Sequence, residues 1–155
     1  MKRVGAQSYI LKTSDVLRAR LTEAGKREHI PAQNALFRED DGNVGVFLIV
    51  KGKVCLSVRN VPKLDRLLGN GSLLGLPSTF TGRPYSLTAV AVSESEVVHV
   101  SQEDFLQLMR EQTELCREAT DMLGREVTFI QSALAERRKQ VALKKVPSED
   151  RVAVS

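Results

Sequence analysis

The residues best suited to chemistry lie in one hydroxyl-rich stretch between Gly69 and Val92. Glycines and prolines set turns at both ends of the hydroxyl-rich part, and the apolar run that begins at Ala89 follows it. Such loops hold anions, because their backbone N–H groups converge around a short helical turn. Ser86 and Thr88 add hydroxyl groups to the same stretch. The stretch is therefore a candidate anion cradle.

The composition limits the classes of protein and partner. The 155 residues suit one domain that needs neither disulfides nor metals to bury a core. A net charge of +4 permits an anionic partner without requiring one. Cys55 and Cys116 are too few for a disulfide framework, a four-thiolate zinc site or an iron–sulfur cluster, so we expect two small core residues. No apolar run approaches the ~18 residues of a membrane span, and the N-terminus lacks a signal-peptide core, which predicts a cytoplasmic protein.

The sequence lacks the motifs of the common catalytic and cofactor sites. Gly69 and Gly71 are spaced as in a dinucleotide fingerprint, but Leu74 stands at the third glycine. Metal-binding rolls of the cupin type need clustered histidines, and the chain has only His29 and His99. No Ser–His–Asp or Cys–His arrangement has a recognisable signature. We expect no catalytic residue, no metal ligand and no enzyme activity.

Short strands punctuated by glycine are the elements that would position the cradle. Residues Ser14 to Ala24 predict a first helix, with Gly25 as a left-handed residue at its C-terminal end. The segment from His29 to His99 has the pattern of an all-β sandwich or barrel. No helical segment separates its strands, which favours a double-layered roll over βαβ units. The predicted strands include Val46 to Val50, Val54 to Val58, Leu67-Leu68, Ser72 to Leu74, Leu87 to Val92 and Glu96 to Val100.

The chain returns to a helical pattern at Ser101, which caps a short helix with acidic residues in its first turn. A longer helix follows from about Glu114, with one apolar stripe whose length favours pairing in a homodimer. The stripe consists of Cys116, Ala119, Leu123, Val127, Ile130 and Leu134. We predict one domain over residues 1–136 and a basic, disordered tail over residues 137–155.

Four segments together carry a family resemblance: Ala35 to Gly42, Val46 to Val54, Gly71 to Gly75, and Glu96 to Phe105. In this order and spacing, the chain resembles the cyclic-nucleotide-binding domain of the catabolite-activator (CRP/FNR) regulator family. The resemblance covers roughly residues 14–136. It implies a mainly β fold with flanking helices, namely a double-stranded β-helix (jelly roll) followed by a long dimerisation helix.

The resemblance also identifies the stretch after Gly71 as that family's phosphate-binding cassette, which reads approximately G-E-x-A-L…P-R-S/A-A-T. In the family the Glu binds the ribose 2′-hydroxyl and the Arg grips the cyclic phosphate. Gly75 and Pro84 match the pattern here, but Leu76 stands at the Glu position and Tyr85 at the Arg position. The two side chains that would select a cyclic phosphate are therefore absent.

Some polar groups of the cassette remain. Ser86 and Thr88 match the family pattern in type, and Arg83 lies two residues before Tyr85. We expect Arg83 to be an exposed turn residue, with recruitment into the pocket as the alternative. A charge-assisted hydrogen bond contributes ~1.5–3 kcal/mol, so losing the Glu and the Arg should weaken a cyclic nucleotide by about 4 kcal/mol, roughly a thousandfold.

The resemblance implies a dimeric regulatory sensor domain that binds a cyclic nucleotide or another small anionic effector and passes the signal through the long helix. Gly75, Leu76, Arg83, Tyr85, Ser86 and Thr88 are the candidate effector-binding residues of the cassette, and Thr128 and Gln131 are those of the helix. Two alternatives stay open. One is a ligand-free dimerisation module in which Leu76 and Tyr85 fill the pocket, and the other is a cupin-type metalloenzyme.

Regulators of this family carry a helix-turn-helix domain after the long helix. Only residues 137–155 remain here, and they show no second run of helical periodicity. We therefore expect no direct DNA binding by this chain alone. The chain is either a free-standing sensor module or a fragment, and the sequence leaves both open.

Overall fold

The computed structural model describes residues 11–62 and 65–154, with side chains described as far as Leu143. Eight strands and four helices follow one another along these residues. They are α1 (Asp15–Ala24), β1 (Lys26–Ile30), β2 (Ala35–Phe37), β3 (Val46–Lys51), β4 (Val54–Ser57), β5 (Arg66–Leu68), β6 (Leu73–Leu74), α2 (Leu76–Thr81), β7 (Thr88–Ala91), β8 (Ser95–Val100), α3 (Gln102–Glu111) and α4 (Thr113–Val154).

The strands form two four-stranded antiparallel sheets, in the orders β1-β8-β3-β6 and β2-β7-β4-β5. Neighbours in a sheet are often distant in the chain, as the pairing of Val54 with Ala91 in β4 and β7 shows. One hydrophobic cluster fills the space between the sheets. The predicted fold class, mainly β with flanking helices and a long C-terminal helix, is confirmed.

The strand patterns explain which faces are buried. The first four residues of β3 are all buried, so this strand has a covered surface on both sides. In β4, Val54 and Leu56 are buried and alternate with half-buried Cys55 and Ser57, as the two-residue period of a strand requires. Cys55 and Cys116 are free thiols, and both are only half-buried.

The first strand and the residue before it differ from expectation. The first four residues of β1 are exposed, and the strand pairs along its length with β8. Gly25 has a φ of −113°, so the predicted left-handed conformation is wrong. A Cβ atom at Gly25 would lie 2.6 Å from the carbonyl oxygen of His99, so glycine is needed here for close approach of β8.

A second hydrophobic cluster joins the helices to the roll. Ser14 caps α1 by accepting a hydrogen bond from Leu17 N–H, and Ser101 caps α3 by accepting one from Asp104 N–H. The N-cap at Ser101 agrees with the expectation from the sequence. The cluster includes Leu17, Leu21, Val46, Leu48, Leu76, Val98, Phe105, Met109, Leu115 and Met122.

The long helix α4 spans 42 residues and packs on α2 and α3. The predicted apolar stripe is split in two: Ala119 and Ile130 are buried, whereas Cys116, Leu123, Val127 and Leu134 are half-buried. The helix continues through residues 137–154, including Pro147. The division of the chain into a domain over residues 1–136 and a tail stays a prediction.

The segment before α1 is fixed to the loop that leads into β6. Lys12 forms a bridge with Ser72, and Leu73 N–H donates to the Leu11 carbonyl at 2.9 Å. Thr13 reaches the Gly71 carbonyl with both its N–H, at 2.9 Å, and its hydroxyl, at 2.7 Å. These residues therefore act as an additional short strand beside the cassette.

None of the helices in the described residues combines the length and the hydropathy that a bilayer crossing needs.

Candidate functional site

The cassette is built around the short helix α2, which two left-handed glycines delimit. Gly75 precedes it with a φ of 94°, and Gly82 ends it with a φ of 77°. Both values favour glycine, because a side chain there strains the backbone. A Cβ atom at Gly75 would also lie only 3.0 Å from the Gly45 carbonyl oxygen. Pro77 is tolerated in the first turn, where its missing N–H has no intrahelical partner.

Tyr85 occupies the inside of the cassette. Its ring stacks on Phe37 with centroids 4.0 Å apart, and only 3% of the residue is exposed. The hydroxyl donates to the Gly45 carbonyl at 2.7 Å and accepts from Val44 N–H at 3.1 Å. Burial raises the pKa of this phenol, although the two backbone hydrogen bonds oppose the rise. Tyr85 is thus a neutral core residue with both hydrogen-bonding roles occupied.

A cavity of ≈ 10 Å³ remains between the cassette and α4. That volume is about the room that one water molecule needs. The lining combines residues of β2, the cassette and the long helix: Phe37, Gly75, Pro77, Ser78, Tyr85, Ser86, Leu87, Glu126 and Ile130. The cassette and α4 therefore both contribute walls to this cavity.

A larger cleft of ≈ 170 Å³ lies beside this cavity and shares Pro77, Ser78, Ser86 and Ile130 with it. Its other lining residues are Thr81, Arg83, Pro84, Val127 and Gln131. Since the two spaces share four lining residues, the cleft and the cavity adjoin one another.

The structure brings together five of the eight residues predicted for the effector site. Gly75 and Tyr85 line the cavity, Arg83 and Gln131 line the cleft, and Ser86 borders both. Arg83 is exposed, as expected for a turn residue.

The other three predicted residues lie outside these spaces. Leu76 is fully buried in the cluster between the helices and the roll. Thr88 accepts a hydrogen bond from Glu39 N–H at 3.0 Å. Thr128 is exposed and donates to the Gly124 carbonyl of its own helix at 3.0 Å.

Glu126 of α4 reaches the cavity although sequence reasoning did not single it out. It is 1% exposed, and its Oε1 atom has no hydrogen-bond partner within the described residues. Burial raises the pKa of this carboxyl to about 7, and the charge of Arg66 opposes the rise. Charged residues on a helix usually lie on its solvent-exposed face, so the residue type of Glu126 does not indicate that it is buried.

Arg66 of β5 is the second buried ionisable residue that the sequence did not reveal. It is 0% exposed, and its guanidinium carbon lies 3.6 Å from the centroid of the Phe129 ring. Among the described residues its Nε, Nη1 and Nη2 atoms have no hydrogen-bond partner. Burial lowers the pKa of Arg66, and the charge of Glu126 opposes this shift. Arg66 and Leu68 are buried on either side of exposed Leu67. The two-residue period of the strand is therefore the clue that Arg66 faces inward.

A further polar contact attaches α4 to the roll about two turns beyond the cavity. Arg137 donates from Nη1 to Glu39 Oε2 at 2.9 Å, and Glu39 Oε1 accepts from Arg59 N–H at 2.6 Å. The side chain of Glu39 is only 6% exposed. This pair holds α4 against the end of β2.

No group of three or more His, Cys, Asp and Glu side chains within the described parts of the chain is placed to hold a metal ion.

Comparison with known proteins identifies the family. The model of the cyclic nucleotide-binding domain matches residues 27–112, which is more than half of the chain. The chain therefore belongs to the cyclic nucleotide-binding domain family, and the recognition made from the sequence is confirmed. No curated protein sequence matches the chain.

Solved structures support the same fold. The catabolite activator protein of Thermus thermophilus has 24% identity and a TM-score of 0.66, with 81% of this chain and 60% of that chain covered. A protein from a study of a cyclic-GMP-dependent signalling pathway that regulates bacterial phytopathogenesis has 20% identity and a TM-score of 0.66, with 78% of this chain and 96% of that chain covered. Oxidized CprK in complex with o-chlorophenolacetic acid has 16% identity and a TM-score of 0.61, with 83% of this chain and 55% of that chain covered. The chain thus spans less than two thirds of the first and third of these proteins.

Proposed function

We propose that this chain is a regulatory sensor domain in which a small effector bound beside the cassette changes the position of α4. The effector pocket is altered relative to that of a usual cyclic-nucleotide receptor, and the domain performs no catalysis. Membership of the cyclic nucleotide-binding domain family supports the regulatory role.

The observation that carries the proposal is the shared lining of the cavity. Tyr85 and Ser86 come from the cassette, whereas Glu126 and Ile130 come from α4. The cavity has room for only about one water molecule, so a larger ligand that enters it from the cleft must displace one of its walls. One of these walls is α4, a helix of 42 residues. Displacement of this wall would move the helix, and the movement would transmit the signal.

The side chains argue against tight binding of a usual cyclic nucleotide. Leu76 has no polar group for a ribose hydroxyl and is buried away from the cavity. Tyr85 brings no charge for a phosphate, and its hydroxyl is already bonded to backbone groups. Arg83 borders the cleft, where it can meet an anionic ligand near the surface.

We further propose that α4 pairs with the α4 of a second copy. The residues Cys116, Thr120, Leu123, Val127, Ile130, Leu134 and Val141 are spaced alternately by four and three, or by their sum, as in a two-stranded coiled coil. Most of them are half-buried or exposed in the single chain. A groove of ≈ 370 Å³ lined by Met109, Thr113, Cys116, Arg117, Thr120 and Asp121 lies on the same side and would receive the partner helix.

Thermal unfolding with a panel of cyclic mono- and dinucleotides tests the altered pocket. A ligand at 100 times its Kd adds about 2.7 kcal/mol of stability. We expect no such gain from micromolar cyclic AMP or cyclic GMP, and saturation at those concentrations would overturn the proposal. Tyr85→Arg should strengthen cyclic-nucleotide binding at least tenfold, about 1.4 kcal/mol, because it restores a charge for the phosphate. Tyr85→Phe, which adds no charge, is the matched control.

The second candidate function is a ligand-free dimerisation module on the same fold. The stacking of Tyr85 on Phe37 and the ≈ 10 Å³ volume of the cavity favour it. The two candidates differ in what hydrogen exchange along α4 shows when small molecules are added. A sensor changes its exchange with at least one ligand of a broad panel, whereas a ligand-free module keeps the same exchange throughout.

A further inference from the structure

The interior between β5 and α4 holds two ionisable groups whose hydrogen-bonding capacity is unused. Arg66 is 0% exposed and Glu126 is 1% exposed. All three guanidinium nitrogens of Arg66 and the Oε1 atom of Glu126 lack partners within the described residues. A buried unsatisfied cation costs several kcal/mol, so such groups are retained where something else completes them. The site therefore has hydrogen-bond donors and an acceptor with which a ligand can pair.

We propose that this interior binds a small carboxylic acid, whose carboxylate is held by Arg66 while Glu126 is protonated. The inference rests on the proposed function, because it names the chemical class of the effector. It concerns a different set of residues from the cassette positions Leu76 and Tyr85.

The geometry of the two side chains favours a carboxylate. A guanidinium presents parallel N–H donors that match the two oxygens of a carboxylate. The face of the Arg66 guanidinium lies on Phe129, 3.6 Å from the ring centroid, and its donor nitrogens are the unpartnered atoms. A protonated Glu126 would offer one O–H donor to the same ligand.

The charge balance excludes a dianion such as sulfate. Arg66 and a carboxylate sum to zero when Glu126 is neutral. Sulfate would leave a net negative charge among the apolar side chains of Phe37, Leu87 and Ile130, where an unpaired charge destabilises the protein. A monoanion is therefore the class that fits.

Glu126 connects this interior to the spaces along α4. It lines the cavity of ≈ 10 Å³, which shares lining residues with the cleft of ≈ 170 Å³. Phe129, which covers Arg66, lies one turn after Glu126 on the same side of the helix. A ligand that reaches Arg66 must therefore displace the Phe129 ring, and the sensor proposal expects α4 to move with it.

Burial favours the protonated form of Glu126, and the charge of Arg66 opposes it. The other ionisable groups on the elements around α4 are otherwise engaged or exposed. Glu39 is bonded to Arg137, and the Tyr85 hydroxyl is bonded to backbone groups. The helix α2 carries no ionisable side chain, and those of α3 are exposed, namely Glu103, Asp104, Arg110 and Glu111.

Titration with ¹³C-labelled acetate, followed by NMR and thermal unfolding at constant ionic strength, tests the proposal. Acetate is ionised throughout the range from pH 6 to pH 8, so only the protein changes its protonation state. With a Glu126 pKa of about 7, the competent fraction falls about tenfold over this range, and the affinity should fall about tenfold with it. Equal affinity at both pH values, or no binding at pH 6, overturns the proposal.

Three variants sharpen the test. Arg66→Met should abolish the acetate response while keeping the fold, because a buried unpaired cation is replaced by an apolar side chain of similar volume. Glu126→Gln should bind acetate equally at pH 6 and pH 8. Arg20→Met, at an exposed position of α1, should behave as the wild type. Acetate binding retained in Arg66→Met, or sulfate binding as tight as acetate binding, counts against the site.

The outcome separates this inference from the proposed function. If acetate binds as described but hydrogen exchange in α4 stays unchanged, the carboxylate site stands and the sensor proposal fails. If acetate does not bind but another small molecule alters α4, the sensor proposal stands and the carboxylate site fails.

Discussion

Tyr85 shows how one side chain fills the inner side of the cassette. Its ring stacks on Phe37 at 4.0 Å, and its hydroxyl joins Gly45 and Val44. The sequence shows that this position carries no charge, since the residue type alone decides that. It could not predict the stacking, because Phe37 lies 48 positions away in the chain and meets Tyr85 only in the folded roll.

Glu126 and Arg66 are residues that only the fold could reveal. Lys, Glu, Arg and Asp are almost never fully buried unless paired, so residue type argues for exposure at both positions. The buried positions of α4 follow the helical period, and Glu126 interrupts an otherwise apolar set. Periodicity marks the position as inward, but residue type marks it as outward, and tertiary packing decides between them.

We predict that Glu126 makes stability fall as the pH rises from about 5 to 8. An ordinary glutamate titrates near about 4.3, and burial raises the pKa of Glu126 to about 7 in the folded state. The folded state therefore binds the proton more tightly, so its advantage is complete below the unfolded pKa and is lost as the pH passes about 7. The loss is of the order of 3 kcal/mol.

Urea unfolding at pH 5 and pH 8, for the wild type and Glu126→Gln, measures this effect. The variant should match the wild type at pH 5 and exceed its free energy of unfolding at pH 8. The two histidines are present in both proteins, so the difference isolates position 126. A parallel pH dependence of the two proteins would show that Glu126 titrates normally.

At the scale of elements, the predicted strands with clear alternation are those that the structure contains. Val54 and Leu56 point inward from β4, as their spacing predicts. The strand β1 escaped prediction because its sequence, Lys-Arg-Glu-His-Ile, has no apolar face. Its backbone pairs with β8, and this pairing overrides residue propensity. Strands at the edge of a sheet can thus be invisible to patterns based on burial.

The attachment of α4 beyond the cavity gives an element-scale prediction. Arg137→Gln removes the contact to Glu39 and leaves a carboxylate that is 6% exposed with fewer donors. We expect a loss of about 1–3 kcal/mol, together with faster amide hydrogen exchange in α4 from about residue 130 onward. The helix should separate from the roll more readily there, because the hydrogen bond between Arg137 and Glu39 is lost.

Arg138→Gln is the matched control for this prediction. Arg138 is the next residue of the same helix, and it is exposed. The same chemical change there should leave both the stability and the exchange of α4 unchanged. Identical exchange in the two variants would mean that apolar packing alone holds the helix.

At the scale of the whole molecule, pairing through α4 predicts a dimer in solution. Thr120 is exposed on the proposed pairing face, and Ser132 is exposed on another side of the same helix. Thr120→Glu places like charges on the two copies and should weaken dimerisation at least tenfold, about 1.4 kcal/mol. Ser132→Glu introduces the same charge away from the pairing face and should leave the dimer intact.

Sedimentation equilibrium over a range of concentrations measures both dissociation constants. Since both altered positions are exposed in the single chain, neither change disturbs the core. A wild type that is monomeric at all concentrations, or two variants with equal dissociation constants, would remove pairing through this face.

The short strand formed by residues 11–13 limits how far the chain can be truncated without disturbing the cassette. The family match begins at residue 27, but Leu11 is 0% exposed and Thr13 holds the Gly71 carbonyl with two hydrogen bonds. A recombinant piece cut to residues 27–112 would expose the backbone edge that leads into the cassette. It would also lack Glu126, which lines the cavity from α4. The smallest piece that keeps both the residue 11–13 strand and the α4 side of the cavity therefore reaches from Leu11 to at least Ile130.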